Sequence, residues 1–77
     1  MSGLGSIQRA ILMLIDDGDA DFYALEDLAN WIYHRAASNA QRQVVLSAAQ
    51  SLARRYPKII ALAKDGRGRS MLFIRRN

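Results

Sequence analysis

Two segments carry side chains whose types and spacing suit chemistry. In the first, Asn39, Gln43, Leu46, Ser47, Gln50 and Arg54 recur at helical intervals, with Arg42 on their flank. On a helix they fall on one face. Gln43 and Gln50 can each donate and accept at an adenine edge. Arg42 can fork onto a guanine or a phosphate, Asn39 and Ser47 can bond bases or backbone, and Leu46 can meet a thymine methyl. The second segment is Gly66-Arg67-Gly68-Arg69. Its glycines permit close backbone approach, and arginine on a projecting turn suits the negative potential of a narrow minor groove. Arg75 and Arg76 extend that charge. Together these groups supply base-edge readers and phosphate partners, the mixture that duplex DNA requires.

Other chemistry is poorly served. Asp17, Asp19 and Asp21 imitate the opening of a calcium loop, but the sixth position is Phe22 and the twelfth is Leu28. A calcium loop needs glycine and glutamate there, so the segment is expected to be a solvated acidic turn. The chain has one histidine, His34, and no cysteine, which excludes His-cluster and thiolate metal sites and a disulfide framework. His34 is expected to end a helix, where it favours the dipole. No Ser/His/Asp set, phosphate loop or paired-carboxylate site stands out. The expectation is a non-enzyme with no cofactor, no metal and no evident small-molecule ligand.

The elements that must position these groups follow from periodicity and caps. Residues 1–5 form a short lead, and Ser6 is a plausible N-cap. Ile7, Ala10, Ile11, Leu14 and Ile15 then recur at helical spacing until Gly18. Phe22-Tyr23 suits a short extended segment. A second helix runs from about Ala24 to His34, apolar at Leu25, Leu28, Ala29, Ile32 and Tyr33, with Glu26 and Asp27 at its positive end. Trp31 on this helix is expected to be a core or interface anchor. The third helix starts at a capping box, Ser38 with Gln41, and runs to about Arg55, where Pro57 stops it. Its core stripe is Val44, Val45, Ala48, Ala49 and Leu52. Two apolar runs, Ile59–Ala63 and Met71–Ile74, flank the turn Asp65-Gly66-Arg67-Gly68 and predict a hairpin. A turn centred on Gly66-Arg67 sets Leu62 opposite Met71 and Ile60 opposite Phe73. One centred on Asp65-Gly66 shifts that register, and both faces are apolar near the base, so the pattern leaves the choice open.

This order of elements resembles the winged helix-turn-helix family over residues 4–76. The stretch Gly5–Leu12 looks like the first helix of many small bacterial members. Val45, Ala48/Ala49, Leu52 and Arg54-Arg55, leading into an apolar strand, look like the family's third helix. The chain departs from the pattern in two places. The linker His34–Ser38 lacks the glycine often found in the turn, and Tyr56-Pro57 stands where many relatives have glycine. The resemblance implies a mainly α fold with a small β-hairpin, a single domain over 6–76, and double-stranded DNA as partner. Helix three would enter the major groove and the hairpin, as the wing, would touch the minor groove or backbone. A small transcriptional regulator is the expected use. The same body serves as an excision, partition or replication accessory factor of a mobile element, and winged helices also act as protein-protein interaction modules.

Charge and size agree with a polyanion partner. Residues 1–27 hold one base, Arg9, and six acids; residues 28–77 hold ten bases and one acid, Asp65. The formal net charge of +4 is thus an average of about −5 and about +9. Nine of the eleven bases are arginine, which suits phosphate forks. At 77 residues and 51% hydrophobic composition, one small core is all the chain can build. No apolar stretch is long enough to span a bilayer, and no export signal is evident; a cytoplasmic, nucleoid-associated protein is expected. Leu12 and Met13 fall outside helix one's core stripe. A helix apolar nearly all round is buried on more than one side, so a homodimer using Leu12, Met13 and Trp31 is expected.

Overall fold

The computed structural model describes residues 3–18 and 20–75. The elements are α1 (Gly3–Asp17), β1 (Phe22–Ala24), α2 (Leu25–Tyr33), α3 (Asn39–Arg55), β2 (Ile60–Lys64) and β3 (Ser70–Ile74). Helix α1 begins earlier than its pattern predicts. Ser6 lies inside it and is not its N-cap, and Gly3–Gly5 belong to the helix rather than to a lead. Met1, Ser2, Asp19, Arg76 and Asn77 lie outside the described residues. At the other end the Gly18 N–H donates to the Leu14 carbonyl at 2.9 Å. A Cβ on Gly18 would collide with that carbonyl and with the Tyr23 hydroxyl, so only glycine fits where the chain leaves the helix.

The turn between α2 and α3 works without glycine because His34 takes its place. His34 sits at φ 56°, ψ 26°, the left-handed C-cap conformation, and its N–H donates to the Asn30 carbonyl. The Asn30 side chain then accepts from the Ala37 N–H at 2.9 Å. Ala37 is buried, so the linker is pinned to the core. Helix α3 starts on the expected capping box. The Gln41 N–H donates to Ser38 Oγ at 3.2 Å, and the Ser38 N–H donates to Gln41 Oε1 at 2.9 Å.

The sheet is three-stranded and antiparallel in the order β1-β3-β2. The fold therefore mixes three helices with a full small sheet, more β structure than a lone hairpin. Phe22-Tyr23 is extended as predicted, and β1 pairs Phe22 with Phe73 and Ala24 with Met71. The hairpin adopts neither predicted register. Ile60 faces Ile74, Leu62 faces Leu72, and Lys64 faces Ser70, so the loop is five residues long and centres on Arg67. Gly68, at φ 80°, makes the left-handed step that this longer loop needs.

One core lies between the helices and one face of the sheet. It joins Ile7, Ile11 and Ile15 of α1, Leu25, Leu28 and Ala29 of α2, Val45, Ala48, Ala49 and Leu52 of α3, and Ile60, Leu72 and Ile74 of the sheet. The paired alanines of α3 let α1 pack closely along it. Val44, expected in the α3 stripe, is instead exposed; the stripe is narrower, because α1 and the sheet cover only the arc around Val45, Ala48 and Leu52. Trp31 is 48% exposed and is not a core anchor. Among the described residues, no helix is long and apolar enough to cross a membrane.

Candidate nucleic-acid interface

Helix α3 places its outer residues as its periodicity requires. Asn39, Arg42, Gln43, Ser47, Gln50 and Arg54 are all exposed. Leu46 differs: it is half-buried and packs against the core, so only part of it is offered outward. The helix rises about 1.5 Å per residue. Arg42 and Arg54 therefore stand about 18 Å apart along it. Arg54 also donates to Ser51 Oγ at 3.5 Å, a contact too long to hold it firmly.

The hairpin tip is ordered by Asp65. Its Oδ1 accepts from the Arg67 N–H at 2.8 Å and from the Arg69 N–H at 2.9 Å. The Gly68 N–H closes the turn onto the Asp65 carbonyl at 3.0 Å, and the Asp65 N–H returns to the Arg69 carbonyl at 2.9 Å. These two backbone donors, Arg69 first and then Arg67, hold the Asp65 carboxyl below its ordinary value, with the Arg69 guanidinium adding to the effect. The loop is thus a closed, hydrogen-bonded projection that carries Arg67 and Arg69 outward, both exposed. Arg69 Nε also lies 3.4 Å from Asp65 Oδ2.

Helix α3 and the hairpin meet across a cleft of about 210 Å³. Arg42, Gln43 and Leu46 line one wall, Arg69 and Ser70 another, and Ala24, Leu25 and Glu26 from the start of α2 complete it. Four of the sequence-predicted DNA residues, Arg42, Gln43, Leu46 and Arg69, thereby share one concave site. Asn39, Ser47, Gln50, Arg54 and Arg67 do not line it; they extend the same polar surface along α3 and out to the hairpin tip. Glu26 was not among the predicted residues. Its carboxylate lies 3.4 Å from Arg42 Nη2, with both side chains nearly half exposed, and so sets where that guanidinium points. An acid in the first turn of α2 reads in sequence as a dipole partner, and nothing in the spacing shows that the turn folds it back onto Arg42.

Of the three residues expected at a dimer interface, Leu12 and Trp31 line different hollows and Met13 lines neither. Leu12 packs against the core beside Ile15, Tyr56 and Ile59. Trp31 lines a separate hollow with Leu14, Tyr23 and Leu28. Met13, 62% exposed, projects from α1 on the side away from the buried Ile7, Ile11 and Ile15.

Comparison of the chain with protein-family models, with curated proteins and with solved structures finds no match.

Proposed function

We propose that this protein binds double-stranded DNA as a small winged helix-turn-helix domain, with use in transcriptional regulation. In this reading α2, the His34 turn and α3 form the helix-turn-helix, α3 enters the major groove, and the β2–β3 hairpin is the wing. The observation that carries it is the shared cleft, where α3's Arg42 and Gln43 face the hairpin's Arg69. Base-edge donors and a phosphate-seeking cation thus stand on adjoining elements of fixed geometry, as groove binding requires.

The parts divide the work. Gln43 and Gln50 present amides that match an adenine edge, and Arg42, steadied by Glu26, presents the fork that matches guanine. Arg67 and Arg69 project on a rigid tip toward the minor groove or the backbone. The exposed ion pairs of Arg42 and Arg69 are weak enough to yield to phosphate or base. The acidic charge of the chain collects in α1, the turn after it and the start of α2. The basic charge lies in α3 and the hairpin. Glu26 excepted, which lines the cleft beside Arg42, that division orients the domain toward a polyanion.

Selection of bound duplexes from a random pool tests the proposal. Enrichment of a short consensus is expected, and Gln43→Ala or Gln50→Ala relaxes it more than it weakens non-specific affinity. Failure to retain any duplex at about 50 mM salt refutes DNA binding. In that event the protein-interaction reading of the same fold takes its place.

A further inference from the structure

The acidic end of the molecule has no part in the DNA reading, and it holds a hollow of its own. Leu14 of α1, Tyr23 of β1 and Asp27, Leu28 and Trp31 of α2 line a space of about 270 Å³. Asp27 and Trp31 lie one turn apart on α2 and so share a face. Both are exposed, Trp31 at 48%. Leu28 is buried and gives the hollow an apolar base. The Tyr23 ring is held in place, because its hydroxyl lies against Gly18, where a Cβ would collide with it.

Charge says what such a hollow takes. Among the described residues the Asp27 carboxylate makes no hydrogen bond or ion pair, and no base lines the space. Residues 10–33 contain six acids and no lysine or arginine. The last turn of α1, to which Leu14 belongs, carries Asp16 and Asp17 and no base. That is the negative end of the helix dipole, where acids cost stability and a cation adds to it. Local rules broken against stability are expected at functional positions. The aromatic faces of Trp31 and Tyr23 add attraction for a cation, which grows as the cation loses water.

We propose that this hollow binds the guanidinium of an arginine presented by a basic segment of a partner protein. At about 270 Å³ it falls below the roughly 300–1,000 Å³ of small-molecule sites, so it suits one side chain rather than a cofactor. Guanidinium fits better than ammonium. It is planar and weakly hydrated, and it can stack on the indole of Trp31 while forking onto the carboxylate of Asp27. A second copy of the chain fits less well. None of its arginines lines the hollow, so the contact would be heterologous and would continue into rings or fibres. The hollow uses no residue of the outer α3 face or the hairpin, so it stands independently of the DNA reading.

Trp31 is the chain's one tryptophan, so its emission reports on the hollow alone. The probe is a terminally blocked peptide of alternating arginine and leucine, titrated without DNA at about 150 mM salt, where distant charges are screened. The control peptide carries citrulline for arginine, which keeps the shape and removes the charge. A saturable change in Trp31 emission is expected, with Kd in the millimolar range and at least about fivefold weaker binding of the control. Asp27→Asn weakens the arginine peptide by about fivefold, and Trp31→Leu, followed by amide NMR, by about as much. Circular dichroism verifies that each variant is folded. Absence of saturation in the millimolar range overturns the proposal. So does equal binding of the citrulline peptide, indifference to Asp27→Asn, or shift changes centred away from Leu14, Tyr23 and Trp31. Trp31 emission that changes with protein concentration alone assigns the hollow to a second copy and overturns it too.

Discussion

Replacing Arg67 and Arg69 together by alanine removes the cations of the hairpin tip while leaving its frame intact. The frame is held by backbone N–H groups of these residues donating to Asp65, and alanine keeps those donors. Arg42, Arg54, Arg67 and Arg69 are the cations that α3's outer face and the loop present. If each neutralises one phosphate, log affinity falls against log salt with a slope of about −3.6. Between about 50 and 200 mM salt that is a loss of about 150-fold. The double variant keeps two contacts, a slope of about −1.8 and a loss of about twelvefold. Fluorescence anisotropy with a labelled random duplex, at several salt concentrations, measures both slopes. Breaking the 3.4 Å contact from Arg69 to Asp65 costs little, because both groups are exposed. A double variant with the parent slope and affinity removes the hairpin from the interface and refutes the geometry assigned to it.

Three further outcomes follow from the same contacts. Leu52→Ala empties the middle of the core, where Leu52 is 1% exposed; chemical denaturation is expected to show a loss of about 3–4 kcal/mol, and a loss below about 1 kcal/mol contradicts the packing. Ser38→Ala breaks the capping box at the start of α3 and costs about 1 kcal/mol in the same assay, whereas a neutral result places the helix start elsewhere. Asp65 titrates below its ordinary value in the folded loop. The stability it contributes is therefore complete above the unfolded carboxylate pKa and lost as pH falls through the lower folded value. The Arg67 and Arg69 amide resonances are expected to stay put from neutral pH down to the ordinary carboxylate range and to shift only below it; a shift centred above that range contradicts the Asp65 contacts.

Local signals made most of the elements legible. Ser38 with Gln41, Gly18 and Pro57 each act within one or two turns of chain, and the structure places a boundary at each. Phe22 and Tyr23 are extended because β3 pairs with them, in keeping with their β-favouring side chains. Some misread features turn on local hydrogen bonds that residue type alone does not show, others on partners distant in sequence. The hairpin register turns on one carboxylate, Asp65, accepting from two amides and so favouring a five-residue loop over a shorter one. Helix α1 outruns its amphipathic pattern by one turn, with Ser6 carried inside. Trp31 is exposed rather than in the core, because burial follows from which helix faces meet. The α2–α3 turn lacks glycine because His34 adopts the left-handed conformation and Asn30 ties the linker down. At the candidate site the polar face of α3 was legible from its spacing. The Glu26–Arg42 pair was not, since it joins two helices through a turn.

Amide NMR mapping with a random duplex at about 50 mM salt tests DNA binding most directly. Perturbations are expected over the exposed positions of Asn39–Arg54 and over Asp65–Ser70, with α1 and the outer sheet face unmoved. Absence of perturbation, or perturbation centred on α1 or the outer sheet face, contradicts the account.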